Sequence, residues 1–146
     1  MRGAGALGAS ALLLAAGLAA GAARAATVEV EVDGIEPGGG RVFVALCQGG
    51  LSEAACRDGD SARATGSRQR FVLQDVSPGT YALAAFQDLD GDGRLDRTPL
   101  GLPLEPYAFS GEGGRGARPD FARAAFAVRE PGLAIRVRLS RALPPR

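Results

Sequence analysis

Four carboxylates fall within nine residues, Asp88-Leu89-Asp90-Gly91-Asp92-Gly93-Arg94-Leu95-Asp96, directly after the apolar run Tyr81-Ala82-Leu83-Ala84-Ala85-Phe86. A hard cation such as Ca²⁺ takes six to eight oxygens, and a tight loop supplies them from alternate residues with glycine at the sharp turn. Asp88, Asp90 and Asp92 occupy loop positions one, three and five, and Gly93 the sixth. Arg94 at seven offers its backbone carbonyl, Leu95 an apolar anchor, and Asp96 a fourth carboxylate. Position twelve is Pro99, so the bidentate glutamate of an EF-hand is missing. The preceding segment also reads as a strand rather than a helix. The expectation is a weak Ca²⁺ loop on a β scaffold, with Glu105 or Asp120 as more distant ligands. The competing reading is a solvated turn, because Asp and Gly are the residues that surface turns select.

Other chemistry is scarce. All 17 basic residues are arginine, and histidine and lysine are absent. The commonest general bases are therefore missing, and no serine has a histidine to activate it. Cys47 and Cys56 are an even pair in a chain that reads as exported, so a disulfide is expected in place of a thiol nucleophile. Closing so short a loop stabilises by roughly 2–3 kcal/mol. No catalytic residue is assigned. The enzyme alternative is a small acidic-site or metal-assisted hydrolase built on the aspartates. It lacks the aromatic cleft walls that a tryptophan would provide, and the chain has no tryptophan.

The N-terminus sets the compartment. Arg2 precedes an uncharged Ala- and Gly-rich run with Leu12-Leu13-Leu14 at its centre, and Ala23-Arg24-Ala25 has small-x-small cleavage chemistry. Residues 1–25 read as a signal peptide cut after Ala25, residues 26–142 as one β domain, and 143–146 as a frayed tail. No later apolar run is long enough to span a membrane, so a periplasmic or secreted location follows. Nucleic acid is discounted as a partner, and the oligomeric state is open. Residues 26–114 carry 7 Arg and 14 acids, whereas residues 115–146 carry 8 Arg and 2 acids. Such asymmetry can mark an anionic partner, but it reads best as acidic and basic faces meeting in the fold.

The elements that position the loop are strands. Val28, Val30 and Val32 alternate with acids, which is a half-buried strand. Residues 41–47 are apolar on both faces, as in a central strand, and form a hairpin with the first across Glu36–Gly40. Residues 48–66 read as a polar loop pinned by the cysteines. Residues 68–74 and 81–87 are further strands, joined by a type II turn at Ser77-Pro78-Gly79-Thr80. Tyr107–Ser110 packs against the sheet, 119–124 forms one helical turn, and 126–128 and 133–139 are the last strands. Short strands between Gly/Pro turns argue an all-β chain and a single antiparallel β-sandwich of about seven strands, Ig-like or transthyretin-like. Its expected core is Val30, Val32, Val42, Val44, Leu46, Phe71, Leu73, Leu83, Phe86, Ile135 and Val137.

The block Ser77-Pro78-Gly79-Thr80-Tyr81-Ala82-Leu83-Ala84-Ala85-Phe86-Gln87-Asp88, the aspartate loop, Gly101-Leu102-Pro103 and Tyr107-Ala108-Phe109-Ser110 together resemble the DUF2141 family of exported bacterial proteins. Pro119-Asp120-Phe121 and Ala125-Phe126 fit the same pattern. The resemblance covers most of residues 27–140 and implies a sandwich after a signal peptide, with no established activity. It also implies that Asn often stands at the positions of Asp90 and Asp92, so Asp at both makes this copy more anionic. The Cys47–Ser67 segment departs from that pattern. The Pro-Gly-Thr-Tyr turn is further similar to transthyretin-like modules of carboxypeptidases and outer-membrane receptors. The expected function is an exported, non-catalytic module that binds an unidentified protein or cell-envelope ligand through its end loops. A structural or assembly subunit pairing through strand edges is the remaining alternative.

Overall fold

The computed structural model describes residues 21, 24–114 and 118–144; the signal-peptide reading of residues 1–25 falls almost wholly outside them, as do the last two residues of the tail. Eight strands and one helical turn follow in order: β1 (Ala26–Asp33), β2 (Arg41–Cys47), β3 (Cys56–Arg63), β4 (Arg68–Val76), β5 (Gly79–Asp88), β6 (Tyr107–Phe109), α1 (Phe121–Ala124), β7 (Phe126–Val128) and β8 (Gly132–Arg138). They form two packed sheets, of order β4-β1-β8 and β3-β2-β5-β6, with β7 paired to β5. The fold is all-β and sandwich-like.

The alternation in β1 sends Val28, Val30 and Val32 into the core at 0% exposure and leaves Glu29, Glu31 and Asp33 half-buried on the outer face. Val42, Val44 and Leu46 of β2, Phe71 and Leu73 of β4, and Tyr81, Leu83 and Ala85 of β5 close on them from the other strands. Each fully buried Val or Leu contributes about 1.5–3 kcal/mol relative to exposure. The charge asymmetry resolves on the outer face of the smaller sheet. Arg68 from β4 and Arg136 from β8 flank β1, with Arg68 Nε 2.6 Å from Asp33 Oδ1 and Arg136 Nε 2.6 Å from Glu31 Oε1. Arg70 pairs with Glu29. The basic C-terminal strand thus meets the acidic N-terminal one.

Several expectations are corrected. β1 and β2 are not a hairpin, because they lie in different sheets. The segment from residue 41 pairs with β3 and β5 instead, since only a strand apolar on both faces suits the middle of the larger sheet. Residues 48–66 are not all loop: β3 runs antiparallel to β2 from Arg41↔Arg63 to Leu46↔Asp58, and past a register shift the ladder ends at the Cys47–Cys56 pair. Its burial is low throughout, which is why hydrophobic pattern does not reveal it. The sandwich is not wholly antiparallel, for β8 runs parallel to β1 from Thr27↔Gly132 to Asp33↔Arg138. Gly132 permits that entry, because a Cβ there would lie 1.9 Å from the Thr27 carbonyl oxygen. The type II turn at Pro78-Gly79 is absent; Asp75, at φ 57°, takes the left-handed conformation instead. Phe86 and Ile135 are only partly buried rather than core. Phe86 points to the opposite face of β5 from Leu83 and Ala85, and its ring stacks on Phe43 at 4.9 Å. Leu83 and Ala85 share the core face, as period two requires, and Phe86 is out of phase with them.

Candidate functional site

The aspartate loop leaves the C-terminal end of β5, where Gln87 and Asp88 are buried at 0% and 2% exposure. Asp88 sits opposite Arg41 in the β2–β5 register, so a central strand fixes the first carboxylate of the loop. Its Oδ1 accepts the Gly91 amide at 2.7 Å and its Oδ2 the Gly93 amide at 2.8 Å. Both glycines have positive φ, 82° and 79°, which lets the chain curl back over the carboxylate without a Cβ penalty. Asp90 Oδ1 accepts the Asp92 amide at 3.2 Å, and Asp92 Oδ1 accepts the Arg94 amide at 2.8 Å. Alternate aspartates therefore each fold the chain two residues on.

The loop is closed from below by Glu105. Thr98 to Leu102 forms a tight return, with the Thr98 amide on the Leu102 carbonyl at 2.8 Å and an isolated bridge between Arg97 and Pro103. This brings Glu105 under the loop at 5% exposure. Its Oε1 accepts the Leu89 amide at 2.8 Å and its Oε2 the Asp96 amide at 3.2 Å, one at each end of the loop. Glu105 is a clamp, and the sequence names it only as one of two distant candidates. The other, Asp120, is not brought to the loop. It caps α1, accepting from the Ala122 and Arg123 amides. The sequence marks Gln87 only as the end of a strand. Its amide binds the Glu36 amide, the Glu36 carbonyl and the Gly39 carbonyl, tying the 34–40 turn beside the loop. A polar residue closing an apolar strand was the available signal.

Two groups of carboxylate oxygens converge, each within 4.8 Å: Asp88, Asp90 and Glu105, and Asp90, Asp92 and Asp96. Asp90 belongs to both. The electrostatics separate the members. Burial opposes the Asp88 charge, but the Gly93 and Gly91 amides, a shared bond with Asp90 and the Asp92 amide outweigh it, and its carboxyl is held below the usual range. The Asp92 amide favours the Asp90 charge, yet desolvation, the bond shared with Asp88 and the charges of Asp92 and Asp96 together push this carboxyl up. Burial raises Glu105 most, and the Asp88 and Asp96 charges add to it against the two amides it accepts. Ionised acids at this spacing repel, and a hard cation reverses the sign of that interaction. Arg94 supplies its amide to Asp92, and its side chain stays exposed.

The Cys47–Cys56 disulfide, S–S 2.02 Å, joins the end of β2 to the start of β3 at the opposite end of the larger sheet from the aspartate loop. No helix among the described residues is long and apolar enough to cross a membrane.

Comparison with the curated proteins and with the solved structures gives no match. Residues 30–136 match the profile of DUF2141, described as an uncharacterized protein conserved in bacteria. That span includes the second half of β1, all of β2 to β7, the aspartate loop, the Glu105 clamp and most of β8, and on it the chain belongs to the DUF2141 family.

Proposed function

We propose that this chain is an exported, non-catalytic binding module of the periplasm or the extracellular space, whose aspartate loop is stiffened by Ca²⁺. The observation that carries the cation reading is the convergence of two carboxylate groups on Asp90, above the clamp of Glu105. Asp88, Asp90, Asp92 and Asp96 would supply the carboxylates and Arg94 its carbonyl, with Glu105 a further donor from below. The site has only carboxylate and carbonyl oxygens, the donor set of a hard cation. The disulfide supports an oxidising compartment. The ligand of the module is a protein or cell-envelope component, met through loops that a rigid sandwich presents.

Calcium titration of EDTA-stripped protein, followed by thermal unfolding, tests this. With Pro99 in place of a bidentate acid, affinity is expected on the order of 10⁻⁴–10⁻³ M. At a hundredfold excess over Kd the linkage adds about 2.7 kcal/mol of stability, seen as a rise in Tm. Mg²⁺ gives a smaller rise, because it dehydrates reluctantly and demands tighter geometry. The double substitution Asp90→Ala, Asp92→Ala removes the calcium effect and leaves the fold intact, since both residues are exposed. An unchanged Tm in millimolar Ca²⁺ would reduce the loop to a solvated turn.

A further inference from the structure

The two outer faces of the sandwich differ in kind. The smaller sheet covers its outer face with ion pairs, Arg68–Asp33 and Arg136–Glu31 among them. The larger sheet presents an apolar face instead. Across it, in register, run two neighbouring rows. One is aromatic: Phe43 on β2, Phe86 on β5 and Tyr107 on β6. The next is small: Gly59 on β3, Ala45 on β2 and Ala84 on β5, ended by Phe109 on β6. The small residues Gly59, Ala45 and Ala84 of the second row leave a trough of about 530 Å³. That volume is in the range of small-molecule sites. The trough extends from Cys56 and Leu51 of the disulfide loop to Gly93, Arg94, Leu95 and Arg97 of the aspartate loop. From Phe43 to Cys47 the strand rises roughly 13 Å, so the trough is longer than one ring.

Its rim is charged. Arg57, Arg94 and Arg97 line it, against Glu53 and Asp60. All three arginines are exposed, and none forms an ion pair among the described residues. Arg57 and Arg97 donate only to the backbone carbonyls of Ala54 and Gly101, at 2.9 and 3.2 Å. A guanidinium without a carboxylate partner beside an apolar floor suits an occupant with an apolar body and an anionic head.

We infer that this trough binds a small single-chain amphiphile with an anionic head, of fatty-acid type, its apolar body on the Phe43–Phe86 and Ala45–Ala84 rows and its head at Arg94 and Arg97. The inference rests on the binding-module reading and gives that module a ligand class. It places the site on the sheet face, with the aspartate loop as one end wall.

The test uses the purified protein and sodium decanoate below its micelle concentration, followed by calorimetry and by amide shifts in NMR spectra. Saturable one-to-one binding is expected, with shifts at residues 43–45, 84–86 and 107–109. Decyltrimethylammonium, of equal chain length and opposite charge, binds at least about tenfold more weakly, the ratio expected from one charge-assisted contact. Ala84→Leu fills the trough and abolishes binding. Arg94→Glu, on an exposed loop, weakens decanoate about tenfold and keeps the test independent of whether Ala84→Leu folds. No binding, equal binding of the cationic amphiphile, or binding untouched by both substitutions overturns the inference. So does a dimer through this face whose mass decanoate leaves unchanged. Each of these results leaves the calcium experiment standing, because that experiment reads Tm without any amphiphile.

Discussion

Glu105 clamps the loop from outside it, as Asp88 does from within. It holds the Leu89 and Asp96 amides at once from a nearly fully buried position. Glu105→Ala leaves two amides without their acceptor, and a loss of about 1–3 kcal/mol is expected in urea unfolding. Glu105→Gln keeps one acceptor and loses less. The same residue predicts a pH signature. Its folded carboxyl is raised above the ordinary 4.5 by burial first, then by the Asp88 and Asp96 charges. A raised acid binds its proton more tightly when folded, so this group adds stability as pH falls through the raised value, fully below 4.5. Asp88 acts oppositely. Despite burial, its amide partners hold it below 3.8, so its contribution is present above 3.8 and is lost as pH falls through the lowered folded value. Metal-free protein is therefore expected to gain Tm on mild acidification and to lose it on stronger acidification. Calcium removes the first phase, because it competes with the protons on Asp90 and Glu105. A melting series against pH, with and without Ca²⁺, reads both.

At the scale of elements, two side-chain ties supplement the strand ladders. The disulfide ties β2 to the poorly buried β3. Cys47→Ala with Cys56→Ala removes a loop constraint spanning a sequence separation of 9, and a loss of about 2–3 kcal/mol in urea unfolding is expected. Labelling of the unreduced, denatured protein should find no free thiol. The second tie is Arg141, which grips both oxygens of Glu36 at 2.6 Å and the Leu104 carbonyl at 3.0 Å. It fastens the segment after β8 to the turn held by Gln87. The pair is partly exposed, so Arg141→Ala should cost roughly 1 kcal/mol, less at high salt. The bond from Arg141 comes first in holding the Glu36 carboxyl below 4.5, ahead of the opposing burial. Stability from this pair is present above 4.5 and fades as pH falls through the lowered value.

At the scale of the whole molecule, the sandwich separates three surfaces. An ion-pair lattice lies on the outer face of the smaller sheet, an apolar trough on the larger, and the carboxylate loop at one end. Ala26 opens β1 and is buried, at 1% exposure. A cut after Ala25 would start the mature chain at that strand. Intact-mass measurement on protein made in a Gram-negative host should give the chain from Ala26, and a full-length mass in the membrane fraction would sink the export reading.

Alternation of valines, Gly/Pro punctuation and aspartate spacing suffice to predict an all-β sandwich, most of its strands and the carboxylate loop. These signals are local: each is a statement about a residue and its neighbours two or three positions away. The cysteine pair was equally legible, from its even count and the expectation of export. What lay beyond local pattern was decided only by tertiary structure. β3 carries almost no apolar alternation and exists because β2 offers it an edge. The parallel pairing of β8 with β1 and the placing of β2 in the other sheet depend on contacts far apart in sequence. Phe86 leaves the core because its neighbours Leu83 and Ala85 claim the inward face, and a strand has only two. Glu105 was a distant candidate until the return at Thr98–Leu102 carried it under the loop. Sequence names the carboxylates; only the fold shows which of them meet.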